Sequence, residues 1–123
     1  MRPHRRLVLW QRAVELVVAV YEATGRFPPA ERFGLASQMR RAAVSVPSNV
    51  AEGAARKGSR ESAQFLYTAR GSLSELDAQL EIAARLGFVS DEERNVLQVR
   101  MDEVSRLLSG LIASTRKKAA GDE

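Results

Sequence analysis

The sequence predicts an all-α protein, an antiparallel four-helix bundle with up-down-up-down topology. Apolar residues recur at steps of three and four along most of the chain, which is the spacing of one helix face. Glycine, proline and capping residues divide the chain into four segments of helical length. The connections between these segments are short, so consecutive helices run side by side in opposite directions, with the left-handed sense of most bundles.

Helix one is predicted from about Leu7 to Thr24, after a segment without periodicity. Residues 1–6 contain Pro3 and several basic residues, and we interpret them as a flexible basic arm. One apolar stripe of the helix consists of Leu9, Ala13, Leu16 and Val20. A second stripe beside it consists of Trp10, Val14, Val17 and Tyr21. Two stripes cover a wider face than one neighbouring helix needs, so the second stripe is predicted to contact another subunit.

Helix two is predicted to begin near Leu35 and to continue through Pro47, with a kink there. Its apolar stripe consists of Leu35, Met39, Ala42, Val46 and Val50. The proline removes one hydrogen bond and its ring crowds the carbonyl four residues earlier, which bends a helix at a cost of about 3 kcal/mol. In the alternative interpretation, one helix ends near Ser45 and another begins at Asn49.

Helix three has the strongest periodic signal in the chain. Ser59 is the predicted N-cap, and Gly87 with Phe88 predicts a Schellman motif at the other end. The stripe between them consists of Leu66, Ala69, Leu73, Leu76, Leu80 and Ala83. Small residues lie on the side away from this stripe, namely Gly71, Ser74 and Ala78. Such residues let another backbone approach closely, so this side is also predicted to be an oligomer contact.

Helix four is predicted to begin with a capping box formed by Ser90 and Glu93. Its apolar stripe consists of Leu97, Met101, Val104, Leu108 and Leu111. We expect the bundle domain to cover residues 7–116 and the tail, residues 117–123, to fray.

The composition excludes several classes of protein. The 123 residues form one domain and contain no cysteine, which excludes disulfides, thiolate catalysis and cysteine-ligated metals. No apolar run approaches the roughly 20 residues that cross a membrane, and we expect a soluble, cytoplasmic protein with no membrane partner. The single histidine, His4, lies in the predicted arm, which leaves no His-based metal or catalytic arrangement. Glu52 and Glu75 are expected to be ion-pair partners, and no catalytic residue, metal or cofactor is predicted.

The chain is basic, with a formal charge of +4, and 16 of its 19 basic residues are arginine. Arginine suits phosphate recognition, although a GC-rich genome produces the same bias. The residues predicted to contact nucleic acid are Arg5, Arg6, Arg56, Lys57, Arg60, Arg116, Lys117 and Lys118. The alternative is that they are ordinary solvated side chains. Any binding is predicted to be by phosphate contact without base specificity, because the aromatic residues lie on helix stripes or near turns.

Several short segments resemble one bacterial family. They are Leu9-Trp10-Gln11-Arg12-Ala13, Phe27-Pro28, Phe33-Gly34-Leu35, the helix-two stretch 38–53, the segment 69–76 and Leu86-Gly87-Phe88. Together they resemble the four-helix-bundle family first noticed in intervening sequences of 23S ribosomal RNA genes. That family is similar in turn to the accessory variability determinant of diversity-generating retroelements, which partners a reverse transcriptase. The resemblance implies a homopentamer without assigned catalytic residues, and the role of most members is open.

Two classes of function therefore remain in contention. The first is a basic oligomeric adaptor that binds RNA or DNA, alongside a nucleic-acid enzyme such as a reverse transcriptase. The second is a protein-interaction scaffold whose basic segments meet acidic partners. An enzyme is not predicted.

Overall fold

The structure, a computed structural model, describes residues 2–121 and, within them, every side chain except that of Arg6. Four α-helices account for most of this range, and no strand occurs in it. The helices are α1 (Val8–Thr24), α2 (Leu35–Ala55), α3 (Ser59–Arg85) and α4 (Asp91–Gly121). Two short 3-10 helices, Pro3–Arg6 and Pro29–Glu31, precede α1 and α2.

The helices pack in a square, as an antiparallel four-helix bundle. Helix α1 contacts α2 and α4, and α3 contacts the same two neighbours, so α1 and α3 lie at opposite corners. The core consists mainly of the predicted stripes, and its ten largest fully buried side chains are Leu16, Met39, Leu66, Leu76, Leu80, Leu108, Val20, Val46, Val50 and Val104. The stripes shift by one residue at two places. At the start of α2, Ala36 is buried and Leu35 is only partly buried, and near the end of α4, Ile112 is buried and Leu111 is only partly buried. The predicted fold class is confirmed.

Helix α2 runs through Pro47 without interruption, as predicted, and the interpretation with two separate helices is wrong. Polar side chains on either side of the proline accompany this passage. The Asn49 side-chain amide donates to the Ser45 carbonyl at 2.8 Å and to the Ser45 hydroxyl at 3.0 Å. The Ser45 hydroxyl also shares a hydrogen bond of 2.7 Å with the hydroxyl of Ser72 on α3. Part of the polar surface of α2 is therefore used to join α2 to α3.

The α3–α4 connection has the caps that the sequence predicted. Gly87 has a left-handed φ of 77°, and the N–H of Phe88 donates to the carbonyl of Ala83 at 2.9 Å, which is a Schellman motif. The Glu93 N–H donates to the Ser90 hydroxyl at 3.1 Å, and the Ser90 N–H donates to the Glu93 carboxylate at 3.1 Å. This reciprocal pair is the capping box.

The start of α3 differs from the prediction. The N-cap residue is Gly58, not Ser59, and no side chain caps this end of the helix. Gly58 has φ −87° and ψ 134°, and the Ser62 N–H makes the first helical bond to its carbonyl at 3.0 Å. Ser59 is already inside the helix because the chain leaves the extended conformation one residue earlier than predicted.

The terminal segments have more local structure than their sequences predicted. The Gln11 side chain donates to the Arg5 carbonyl at 3.0 Å, and the His4 ring lies edge-on to Trp10 with ring centroids 4.8 Å apart. At the other terminus, α4 extends to Gly121, past the predicted domain limit at residue 116. The predicted flexibility of residues 1–6 and fraying of the tail stay predictions, and Met1, Asp122 and Glu123 lie outside the described residues.

Candidate nucleic-acid interface

The topology brings the three basic segments of the chain to one end of the bundle. In an up-down-up-down bundle, the start of α1, the α2–α3 connection and the end of α4 share an end. A single cleft is lined from all three segments, with Leu7 from the first, Lys57 from the second and Lys118 from the third. We call residues 2–7, 52–61 and 114–121 the basic end. It contains nine basic residues and two acidic ones, Glu52 and Glu61, and the sequence continues with Asp122 and Glu123.

The opposite end of the bundle has the reverse balance of charge. We call residues 22–35 and 81–94 the capped end, because they include the Schellman motif and the capping box. This end contains four basic and six acidic residues. Three of its arginines are in ion pairs, as Arg26 pairs with Glu93 and both Arg85 and Arg94 pair with Glu81.

Cations at the basic end have fewer partners. Lys57, Lys117 and Lys118 are exposed and form no ion pair with any described side chain, and the same holds for Arg116. Unpaired cations on one surface raise its potential and attract phosphate. These four of the predicted nucleic-acid-binding residues therefore have the side-chain freedom that phosphate contact requires.

Arg56 differs from its neighbours because its guanidinium already has partners. It hydrogen-bonds the Glu52 carboxylate at 2.6 Å, lies 3.7 Å from the Glu61 carboxylate and stacks over the Phe65 ring at 4.7 Å. The expectation that Glu52 is an ion-pair partner is therefore met. Arg60 is exposed in the first turn of α3 and lies on the same connection. We rank Arg56 below the lysines as a phosphate contact, because binding phosphate would compete with its two carboxylates.

The remaining predicted contacts belong to the N-terminal segment. The Arg5 guanidinium lies 5.4 Å from the centroid of the Trp10 ring, and its backbone carbonyl is held by Gln11. The backbone of Arg6 belongs to the 3-10 helix Pro3–Arg6, and its side chain lies outside the described part of the structure. Both residues belong to the basic end by position.

The predicted oligomer contacts divide into partly buried and exposed residues. On α1, Trp10 and Val17 pack against the protein's own core and Val14 is partly buried, whereas Tyr21 is 45% exposed. On α3, all three small residues, Gly71, Ser74 and Ala78, are exposed. Two residues of the second stripe, Trp10 and Val17, therefore make contacts within the subunit, and the N-terminal segment contacts Trp10. Tyr21 is left exposed.

Sequence reasoning missed two residues that the structure makes notable. Val18 is 53% exposed on α1 beside the second stripe, yet it belonged to neither predicted stripe. Thr115 is only 8% exposed and lines the cleft at the basic end. Its position continues the α4 stripe after Leu108 and Ile112, at steps of four and three, so periodicity carried one residue further would have found it.

Residues 2–121 hold no cluster of three histidine, cysteine or carboxylate side chains that could bind a metal ion. Glu75, the other carboxylate near a bundle face, accepts a hydrogen bond from Gln79 at 3.3 Å. No helix within the described residues is long and apolar enough to cross a membrane.

Fold and site define a class of protein, a small basic four-helix bundle with three basic segments at one end. The chain belongs to the 23S rRNA-intervening sequence protein family, whose model matches residues 5–110. A similar fold occurs in the crystal structure of a protein of unknown function from the S23 ribosomal protein family of Bacteroides thetaiotaomicron. The two share 19% identity and a TM-score of 0.77 over 85% of this chain and 98% of that one. No curated protein matches the chain. Neither the family model nor the similar crystal structure is described as enzymatic.

Proposed function

We propose that this protein is a non-enzymatic homo-oligomer that binds RNA or DNA through phosphate contacts at the basic end, as an accessory to a nucleic-acid enzyme. The observation that carries the proposal is the meeting of three basic segments that are far apart in sequence. The cleft lined by Leu7, Lys57 and Lys118 joins these segments on one surface. A similarity to the accessory variability determinant, stated above from sequence, makes a reverse transcriptase the natural enzyme partner.

Binding should depend on phosphate and shape, with little sequence preference. Base-specific recognition of single strands uses exposed aromatic rings on which bases stack. Two aromatic rings at or near the basic end lie beneath cations, Trp10 beneath Arg5 and Phe65 beneath Arg56, and the His4 ring lies edge-on to Trp10. Lysines, which are point charges without planar geometry, supply three of the nine basic residues of the basic end, and contacts to phosphate carry no sequence information.

The position of the exposed contacts favours a ring. Tyr21 and Val18 lie on α1, Gly71 lies on α3, and these two helices occupy opposite corners of the bundle. A contact between different surfaces of identical subunits is heterologous, and it closes into a ring when the rotation permits. The number five comes from the family resemblance alone.

In a ring, weak phosphate contacts from several subunits would act together and raise the affinity for nucleic acid. Five copies carry a formal charge of five times +4, or +20. Each basic end is repeated around the axis, so a nucleic acid bound at one is held at high effective concentration near the next.

The test of binding compares two variants that lose the same charge. The first changes Lys57→Gln, Lys117→Gln and Lys118→Gln at the basic end. The control changes Arg32→Gln, Arg41→Gln and Arg106→Gln elsewhere on the surface. Affinity for a mixed-sequence RNA and a duplex DNA is measured by fluorescence anisotropy between 50 and 200 mM salt. We expect wild type and control to bind, with log affinity falling against log salt.

The slope of this salt dependence identifies the contacts. For each lysine that neutralises a phosphate, the slope should become shallower by about 1 in the basic-end variant. Equal affinity and equal slope in the two variants would contradict the proposed interface. Absence of binding by wild type at 50 mM salt would contradict nucleic-acid binding altogether and favour the protein-scaffold function.

The test of assembly uses a position that is open in the subunit. A side chain added at Gly71 meets no atom within 4 Å, and the same is true at Gly110 on α4. Gly71→Leu should therefore leave the subunit folded and weaken the oligomer, whereas Gly110→Leu should leave its mass unchanged. Light scattering measures both, and a monomeric wild type at micromolar concentration would contradict the proposed ring.

A further inference from the structure

The cleft at the basic end has features that surface attraction for phosphate does not require. It has a volume of about 270 Å³ and is open to solvent. Three leucines contribute to its lining, Leu7 before α1, Leu66 on α3 and Leu111 on α4. The cationic side chains Arg56, Lys57 and Lys118 line it as well. An apolar lining with a few placed polar groups is typical of a small-ligand site.

Thr115 is the observation that points to a ligand. Its side chain lines the cleft, the residue is 8% exposed, and its hydroxyl makes no hydrogen bond with any described group. Thr24 and Thr68 behave differently, since each hydroxyl donates to the carbonyl four residues earlier, at 2.7 Å and 3.1 Å. The only fully enclosed side-chain polar atom without a partner among the described residues is Gln79 Oε1, so the Thr115 hydroxyl keeps some contact with solvent. The Thr115 hydroxyl is therefore available to a group inside the cleft.

The start of α3 adds donors on the same cleft. Gly58 and Ser59 both line it, and Gly58 is the N-cap residue without a capping side chain. The N–H groups of the first helical turn have no acceptor within the helix, and they favour an anion. The uncapped helix start and the Thr115 hydroxyl come from different helices, α3 and α4, and meet at one cleft.

The charge of the cleft favours a dianion. Arg56 is held by Glu52 and Glu61, so Lys57 and Lys118 are the lining cations without an ion pair among the described residues. Two ammonium groups match a phosphate monoester, which carries about −1.5 to −2 at pH 7. A phosphodiester inside a strand carries a single negative charge and needs only one of them. The leucines would contact the sugar and base attached to the monoester.

We propose that this cleft binds the phosphate monoester of a nucleotide, at the end of a nucleic-acid strand. Binding of a strand end rests on the proposed function. A free nucleotide carries the same phosphate monoester and could bind in the same way. The cleft has room for about one nucleotide, so the rest of the strand lies across the basic cations outside it.

The experiment uses two RNA strands of identical mixed sequence, one with a 5′-phosphate and one with a 5′-hydroxyl, each labelled at the 3′ end. Anisotropy at 50 mM salt should give about tenfold tighter binding of the phosphorylated strand by wild type, because an extra charged group gains hydrogen bonds and ion pairs. Adenosine 5′-monophosphate is then added as a competitor. A strand that binds at least tenfold more tightly than the nucleotide supports the strand end, and equal binding supports the free nucleotide.

Thr115→Val tests the hydroxyl without disturbing the shape of the cleft. The substitution removes no protein hydrogen bond, so we expect unchanged thermal stability and a several-fold loss of the preference for the 5′-phosphate. Thr68→Val is the matched control on exposed α3 surface, and it should leave the preference unchanged. Gly58→Asp provides a second, independent test, because its carboxylate would cap α3 and repel phosphate. We expect it to abolish the preference in a folded protein.

The possible failures are distinguishable. Equal binding of the two strands, with no competition by the nucleotide, overturns the cleft inference and leaves the proposed function intact. Absence of binding by either strand contradicts the proposed function, and binding of the nucleotide alone would then support the cleft as a free-nucleotide site. A preference for the 5′-phosphate that Thr115→Val and Gly58→Asp both preserve overturns the assignment to this cleft.

Discussion

The two ends of the bundle differ in their helix caps and in the ion pairs of their charged side chains. The capped end terminates α3 at Gly87 and begins α4 with the reciprocal bonds of Ser90 and Glu93, and it pairs three of its four arginines. The basic end begins α3 without a capping side chain and gathers Lys57, Lys117 and Lys118 without ion pairs to the described residues. Local interactions stabilise the first, whereas the second retains donors and cations without partners.

This difference between the two ends is larger than stability alone would require. Caps and ion pairs each contribute up to about 1 kcal/mol, so a chain selected only for stability would use them at both ends. Gathered like charges repel one another and lower stability. Local departures from such rules are expected at functional sites, so the contrast supports the basic end as the interaction surface.

The largest expected effect concerns the apolar support of the capped end. Phe27 is 7% exposed, and its ring centroid lies 5.4 Å from that of Phe88. Phe27→Ala should lower the free energy of unfolding by about 3–5 kcal/mol, because it leaves a cavity under both connections. Chemical denaturation measures the change. A loss below about 1 kcal/mol would show that the capped end does not depend on this contact.

The next effect concerns close packing beside the basic end. A side chain at Gly53 on α2 would meet the Ser62 carbonyl oxygen at 3.2 Å and the Phe65 Cβ at 3.4 Å. Gly53→Leu should lower the free energy of unfolding by about 1–3 kcal/mol through overpacking. Gly110→Leu, whose site is open, should raise it by a few tenths of a kcal/mol to about 1 kcal/mol through helix propensity. Chemical denaturation measures both variants. Equal shifts of their denaturation midpoints would show that α2 can move away from α3.

A smaller effect, with a pH signature, belongs to Glu93. The Arg26 guanidinium bound to the Glu93 carboxylate lowers the pKa of that carboxyl below its ordinary 4.5, and the Ser90 backbone N–H lowers it further. A depressed pKa stabilises the fold above the ordinary value, and this stabilisation is lost as the pH falls through the folded pKa. Glu93→Ala should cost about 1 kcal/mol at pH 7 and much less in acid, below that pKa. A cost independent of pH would contradict this assignment.

The smallest expected effects are changes in the free energy of unfolding, and they should have opposite signs at the two ends. Lys57 lies beside the start of α3 and lines the same cleft as Lys118, so Lys57→Gln should raise the free energy of unfolding by a few tenths of a kcal/mol at low salt. Arg85→Gln removes the pair with Glu81 near the end of α3 and should lower it by a similar amount. Both shifts should vanish in high salt. Shifts of the same sign would contradict the charge contrast between the ends.

The helices and their ends were largely predictable because local rules govern them. The apolar stripes on α1 and α3, the passage through Pro47 and both caps around the α3–α4 connection appear in the structure as predicted. The start of α3 was not, because Ser59 has the right residue type for an N-cap but the backbone turns at Gly58. Residue type favours a cap, and only backbone conformation decides which residue it is.

The sequence by itself determined which residues are basic, which faces are apolar and how many helices form. Those properties depend on residue type and on spacing within one segment. Only the tertiary structure decided that Leu7, Lys57 and Lys118 line one cleft, that Arg56 is occupied by Glu52, and that Thr115 lacks a hydrogen-bond partner among the described residues. These facts join segments at least 50 residues apart in sequence or depend on the choice among rotamers. Neither can be read from a local pattern, because the packing of all four helices fixes them together.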